Sequence, residues 1–298
     1  MKYQNVLLKL DGRIATITLN RPEKLNAIND GMLRDLIKAL EKVRKDYESL
    51  VVVIKGAGTS FSTGQDLSGE GTDEVMPPNP REKTYLFDMY AQGLKNQNLW
   101  QYIFEYPKIT VAQVHGYCLG MGLDLAMSCR AIICTDDAVF GDPSVRMGLA
   151  SANPLWTFRV GLKKSKELLL TGKSIDGKEA ERIGLVMKAV PAAQMEEVMA
   201  VETDGFARSS GIGGWDQQGV FWSSWMSIMQ LAGMAAARQM TTNVSVMSSI
   251  QRPHRSLIDR GGYDFYQVRE EKGLKAAIEG RDAPFRKHFP EPKPKARK

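Results

Sequence analysis

Cysteine is scarce in this chain, and what there is does not pair off. Three occur in 298 residues, Cys118, Cys129 and Cys134, with no Cys-x-x-Cys spacing. An odd count without that spacing argues against a disulfide framework and for a reducing compartment, so a cytoplasmic location is expected. His115 and Cys118 stand three apart, but two potential ligands without partners do not make a metal site, and no metal is expected. Long apolar runs are also missing. Val6 to Leu10 is too short for a signal-peptide core and runs straight into Asp11-Gly12. Even Ile109 to Met127 is broken by Gln113, His115 and Asp124, so no membrane span is expected. Nor is there a basic face on the body of the chain. Net charge is +6, but the tail from Arg286 to Lys298 carries six Lys/Arg against Glu291, a net +5 by count. The remainder is nearly neutral, which argues against DNA as a partner. A dinucleotide fingerprint is lacking as well: after Gly56 and Gly58 a third glycine is due at position 61, where Phe61 stands, and Ser62 to Leu67 reads as loop.

What is present fits a soluble globular chain, 43% hydrophobic and 25% charged, long enough to bury a full core. Val6 to Leu10 and Arg13 to Leu19 flank Asp11-Gly12, a hairpin signal. Leu33, Leu36, Ile37, Leu40, Val43 and Tyr47 recur at helical spacing. Strands are expected at Leu50 to Ile54, Ile109 to Val114 and Ala131 to Cys134. Helices are expected over Thr84 to Glu105 and from Gly122 to Met127, and a loop over Ser68 to Pro80. Alternation of strand and helix argues for the α/β class. From about Val201 the composition changes: Trp215 to Met247 holds three tryptophans and five methionines with few charges, which reads as core or subunit contact.

Two glycine-spaced loops stand out. Gly56-Ala-Gly-Thr-Ser-Phe-Ser-Thr-Gly-Gln-Asp-Leu67 follows one expected strand, and His115-Gly-Tyr-Cys-Leu-Gly-Met-Gly-Leu-Asp-Leu125 follows another. Glycine at a strand end lets backbone N–H groups approach a ligand closely. Two such groups converging on one carbonyl oxygen form an oxyanion hole, and a thioester is a natural occupant.

With Asn20-Arg-Pro-Glu-Lys-Leu-Asn-Ala27, Phe140-Gly-Asp-Pro-Ser-Val-Arg-Met-Gly-Leu149, Leu169 to Ala180 and Arg182 to Pro191, these loops resemble the enoyl-CoA hydratase/isomerase (crotonase) family. The resemblance covers roughly two thirds of the chain and is weak over the last hundred or so residues. It implies a spiral of ββα units rather than a doubly wound sheet, with a C-terminal helical oligomerisation region. The expected division is a spiral core over 1–200, a helical trimerisation region over 201–285 and a basic disordered tail over 286–298. It further implies an acyl-CoA substrate, a homotrimer or dimer of trimers, and no cofactor beyond the coenzyme A of the substrate itself.

Carried over residue by residue, the resemblance puts the two oxyanion-hole amides on Gln65, after Gly64, and on Met121, after Gly120. A glycine is more usual at the second position. Lys24, Leu25 and Ala27 match the CoA-binding segment, and Asp66 and Leu67 continue the first loop. Asp124 holds the family's first catalytic carboxylate position; by itself an acid in a helix's first turn also reads as dipole compensation. Ser144 stands where hydratases carry a second catalytic glutamate, and a serine hydroxyl is no base near neutral pH. Asp142 is a substitute for it or, equally, a turn former before Pro143. Gly148 to Pro154 departs from the family pattern, with Ala152 and Asn153 where relatives place an Asp. His115, where the family often has Asn, is either a titrating group or a hydrogen-bonded strand end. Tyr85, Phe87, Tyr90, Trp100 and Tyr102 are either an acyl-pocket wall or ordinary helix packing. The expected reaction is hydration/dehydration of an enoyl-CoA or double-bond isomerisation. The alternatives are C–C bond hydrolysis or decarboxylation on the same frame, or a catalytically weakened scaffold that binds CoA or RNA.

Overall fold

The computed structural model describes residues 3–68, 98–147, 153–212, 214–240, 243, 263–287, 289 and 291–294. The expected hairpin is β1 (Val6–Asp11) against β2 (Ile14–Leu19), turning at Gly12 with φ +55°. Ala15, Ile17 and Leu19 face inward in strict alternation. Strands β3 (Val51–Gly56), β4 (Ile109–Val114), β6 (Ala131–Thr135) and β9 (Lys188–Val190) join them in one six-stranded sheet, ordered β1-β2-β3-β4-β6-β9 and parallel from β2 onward. A second sheet holds β5 (Tyr117–Leu119), β7 (Val139–Gly141) and β8 (Ile175–Asp176), ordered β5-β7-β8.

The repeat that no sequence similarity reveals is visible in the connectivity. β4 and β5 lead into helix α2 (Met121–Ser128); β6 and β7 lead into helix α3 (Leu155–Thr171). The first strand of each unit joins the large sheet and the second joins the small one. This is the spiral of ββα units that the resemblance implies.

Strands β3, β4 and β6 are buried on both faces, which explains why they read as continuous apolar runs. Val52, Ile54, Ala112, Val114, Ile132 and Cys134 face one core, closed by α1 (Asp30–Arg44), α2, α3 and residues 98–106. Val51, Val53, Ile109, Val111, Ala131 and Ile133 face the other, closed by Met195, Met199 and Ala207 of α5 (Met195–Ile212). Helix α1 is N-capped by Asn29, whose side chain accepts from the Met32 amide, and buries Met32, Leu33, Leu36, Ala39, Leu40 and Val43. Tyr47, expected on this helix, lies beyond its end and is 87% exposed, because Lys108 Nζ caps the last carbonyls at Val43 and Asp46.

Helix α4 (Gly177–Arg182) precedes β9, and α5 continues through residue 200, the expected domain boundary. Helices α6 (Gly214–Leu231) and α7 (Phe265–Arg286) complete the described C-terminal part. Of the helix expected over Thr84 to Glu105, residues 98–104 are helical; 84–97 lie outside the described residues, as do 69–80 of the expected loop and 148–152 of the divergent segment. The tail is not simply solvated: Glu291 reaches Arg146, whose side chain is fully buried and needs a counter-charge. Residues 295–298 lie outside the described residues.

Candidate active site

The site is assembled from backbone first. At the end of β3, Gly56 packs so tightly that a Cβ there would lie 2.3 Å from the Ser60 carbonyl oxygen. The first loop then runs beside the second as an irregular strand. Phe61 N donates to His115 O at 2.8 Å, Ser62 N to Tyr117 O at 2.9 Å, and Leu119 N to Ser62 O at 3.0 Å. Gly116 makes this contact feasible, since a Cβ on it would sit 2.0 Å from Thr59 O. His115 Nε2 donates to the Gly58 carbonyl at 2.9 Å, so the ring ties the two loops together.

From the other side, the segment at 20–28 braces the first loop. Leu25 and Asn26 are left-handed, at φ +49° and +54°, and this turn sends the Asn26 side chain inward. Asn26 Nδ2 donates to the Ala57 and Ser60 carbonyls, both at 2.8 Å, and its Oδ1 accepts from Arg21 N at 2.9 Å. Ile28 N donates to Gly64 O and Asp66 N to Ile28 O, at 2.7 and 2.9 Å. In such a parallel bridge the intervening residue points its own amide the opposite way, so Gln65 N–H faces away from Ile28.

On that far side lies the start of α2. Gly64, at φ +94°, abuts it: a Cβ there would stand 2.7 Å from Leu119 O and 3.3 Å from Met121 N. Gly122 packs on Ser62, where a Cβ would come within 2.7 Å of the serine Cβ. The amides of Gln65 and Met121 therefore lie in neighbouring turns, and neither donates to an acceptor among the described residues. The Met121 amide is also the first of α2, at the positive end of its dipole. The Met121 side chain packs against the main core instead of the site.

Asp124 sits one turn into α2. Its Oδ1 accepts from Asn153 Nδ2 at 2.8 Å, and Asn153 Oδ1 in turn accepts from Leu155 N at the start of α3. The carboxyl pKa is raised to about 7, first by burial in protein surroundings and second by the charge of Asp142; the Asn153 hydrogen bond opposes the shift. Asp142 is itself 5% exposed, and its Oδ1 accepts from both the amide (3.0 Å) and the hydroxyl of Ser144. The nearest group that a Cβ on Gly120 would meet is that Oδ1, at 4.0 Å, which sets Asp142 beside the residue preceding Met121.

The other expected residues are distributed as follows. Lys24 ends a short 3-10 turn (Pro22–Lys24), Leu25 is 37% exposed, and Ala27 is buried with its carbonyl held by Arg21. The Asp66 carboxylate is committed to structure: it pairs with Arg21 at 2.9 Å and accepts from Ser68. Burial alone raises its pKa, but these hydrogen bonds and the guanidinium outweigh that and lower it. Leu67 packs with Met147 against Phe265, Leu274 and Ala277 of α7, and its carbonyl accepts from Arg269 at 3.1 Å. Trp100 is core, and Tyr102 donates to Glu41 on α1, so these two pack as ordinary helix residues; Tyr85, Phe87 and Tyr90 lie outside the described residues. Sequence reasoning passed over Arg21 and Asn26 as individuals, and noted Asn153 only as a departure from the Asp that relatives place nearby. Asn26 shares the Asn20 to Ala27 string with Asn20, and nothing local marked which of the two amides turns inward. Among the described residues no group of three His, Cys, Asp or Glu could hold a metal ion.

Two sheets wound from ββα units, with two glycine loops laced at their junction and an aspartate below, define a crotonase-type protein. The enoyl-CoA hydratase/isomerase family profile matches residues 9–209, and the chain belongs to that family. EchA13 of Mycobacterium tuberculosis, which carries an enoyl-CoA hydratase name, is 39% identical over 213 residues, 66% of this chain and 65% of that protein's length. The short-chain-enoyl-CoA hydratase of Clostridium acetobutylicum is 32% identical over 65% of this chain and 72% of its own. Among solved structures, an enoyl-CoA hydratase from Mycobacterium smegmatis superposes with a TM-score of 0.81, at 27% identity and covering 94% of both chains.

Proposed function

We propose that this protein binds an acyl-CoA thioester and stabilises its enolate between the amides of Gln65 and Met121, with Asp124 moving the proton. The reaction is addition of water to a 2-enoyl-CoA, its reversal, or a double-bond shift through the same enolate. The observation that supports this reading is the close packing of Gly64 on the start of α2, where a Cβ would lie 2.7 Å from Leu119 O and 3.3 Å from Met121 N. Preorganised amides aimed at a developing oxyanion typically contribute about 10²–10³ in rate each. The thioester's π electrons move onto the carbonyl oxygen as the nucleophile adds at Cβ or a proton leaves. Negative charge then accumulates where both N–H groups and the N-terminus of α2 point.

Coenzyme A is part of the substrate, and no further cofactor enters the reaction. Lys24, Leu25 and Ala27 contact the CoA, with Lys24 near its phosphates. Gly64, Asp66 and Gly120 shape the loops around the thioester, and Leu67 with α7 borders the acyl chain. The names of the relatives support the substrate class, and three free buried thiols fit a reducing cytoplasm. A homotrimer, or a dimer of trimers, is formed through the C-terminal helices.

Incubating the protein with a panel of CoA esters and reading products by mass spectrometry tests this. A gain or loss of one water, or a shift of conjugation at constant mass, is expected. Gly64→Ala, which drives a methyl into Leu119 O and Met121 N, should lower kcat by at least about 10²-fold. Release of two fragments would replace the reading with C–C hydrolysis, and binding without turnover would replace it with a scaffold.

A further inference from the structure

Hydration needs two proton-handling groups, and position 144 holds a serine. The Ser144 hydroxyl donates to Asp142 Oδ1, as does the Ser144 amide. A turn of this type needs only one carboxylate oxygen. Among the described residues, Asp142 Oδ2 accepts no hydrogen bond, and neither does Asp124 Oδ2. Each aspartate thus has one oxygen held, by Ser144 or by Asn153, and one uncommitted. Asp142 is 5% exposed and stands beside Gly120, next to the Met121 amide, and its charge acts on Asp124. A residue that served only as a turn former would have no need to be buried beside Gly120.

We infer that Asp142, positioned by Ser144, is the second catalytic carboxylate of this site and works together with Asp124. Ser144, expected among the catalytic residues, is on this assignment a positioning residue. The inference rests on the reaction proposed above and specifies it as hydration. The oxygen of a water adds to Cβ, and its proton passes to the Asp142 carboxylate. The C=C π pair moves onto the thioester oxygen between the amides of Gln65 and Met121. As the enolate collapses, Asp124 gives its proton to Cα. The product is a 3-hydroxyacyl thioester, and transfer of the proton from Asp142 to Asp124 restores the pair.

Among the described residues, the groups that act on Asp124 are Asp142 from the turn after β7, neutral Asn153 from the start of α3, and Cys118 from β5, whose thiol is kept neutral by burial. Its titration therefore reports on Asp142. Asp142→Asn is a clean probe, because an asparagine Oδ1 still accepts from the Ser144 amide and hydroxyl and preserves the turn. Difference infrared spectroscopy of the free, full-length protein follows the Asp124 carboxyl band, identified by its absence in Asp124→Asn. In Asp142→Asn its midpoint should fall by about one pH unit or more. With crotonyl-CoA as probe, the same variant should lose at least about 100-fold in kcat with KM little changed, and one limb of the pH profile should vanish. Ser144→Ala should displace that limb, whereas a residue serving only the turn would lower the melting temperature and leave the profile in place. An unmoved Asp124 midpoint in Asp142→Asn, or a kcat within twofold of the wild type, overturns the assignment. If the wild type turns over no enoyl-CoA yet the midpoint still moves, the carboxylate pair stands and the reaction proposed above falls.

Discussion

Asp124 holds its proton at a pH where most aspartates have lost theirs, and this has a consequence for stability. Its folded-state pKa of about 7 lies above the unfolded value of about 3.8. Between these values the folded protein binds more protons than the unfolded one, so stability falls as pH rises through that window. Below the lower value the group contributes no penalty; above the upper one the penalty is complete and constant. Asp124→Asn removes the charge and keeps an acceptor for Asn153. The variant's melting temperature should therefore exceed the wild type's by a margin that widens from pH 4 to about pH 7 and is level beyond it, as calorimetry across that range will test. A margin independent of pH would mean that Asp124 is not buried as a charge. At this scale the sequence was partly transparent. Asp124 stood out by its place in a family motif, whereas Asp142 was open to two readings, a substitute carboxylate or a turn former before Pro143. Only the fold buries it beside Gly120.

Among elements, α7 is the one that joins the C-terminal region to the site. Arg146, in the 3-10 turn after β7, is buried and pairs with Asp282 of α7 at 3.3 Å and Glu291 at 2.5 Å, while its guanidinium stacks over Phe285. Arg269 holds the Leu67 carbonyl, and Arg281 forms a bidentate pair with Asp282. Removing one partner of a buried ion pair costs about 3–5 kcal/mol, because the other charge is left without compensation. Arg146→Met should destabilise the protein by that order in chemical denaturation, and hydrogen exchange should rise selectively along 265–286. Equal acceleration across β3 and β4 would show that α7 is not an independently released element. None of this was legible in the sequence. Arg146 lay inside a recognised motif with no hint of its partners, which stand more than a hundred residues away. The hairpin and strands β3, β4 and β6, by contrast, were readable within a residue or two, because their patterns are local; β9 was not among the expected strands. The end of α1 was missed because Lys108, far along the chain, supplies its cap.

At the scale of the whole molecule, the described surface of α6 and the residues after it is apolar where a lone subunit has little reason to be. Trp225 is 57% exposed, Ile228 63%, Leu231 89% and Met240 66%. Such exposure marks a surface for association, in line with the trimer proposed above. Sedimentation velocity should give a species of three or six 33.2 kDa chains, and Ile228→Asp with Leu231→Asp should shift it to the monomer. A wild-type monomer at micromolar concentration would refute the assembly. The composition change near residue 201 signalled this region in advance, although α5, which spans that point, packs on the large sheet with the rest of the core.

Local pattern by itself determined the class of the fold, the two glycine loops and the candidate Asp124. Each depends on residues close in sequence: alternation in a strand, spacing on a helix, or a glycine where a side chain has no room. The tertiary structure alone decided which groups meet. Gly64 against the Met121 amide, Asp142 beside Gly120, Asn153 holding the acid and Arg146 bound to α7 are all contacts between segments distant in the chain. Side-chain chemistry says what a residue can do; only folding sets its neighbours, and the neighbours fix its charge and its hydrogen bonds.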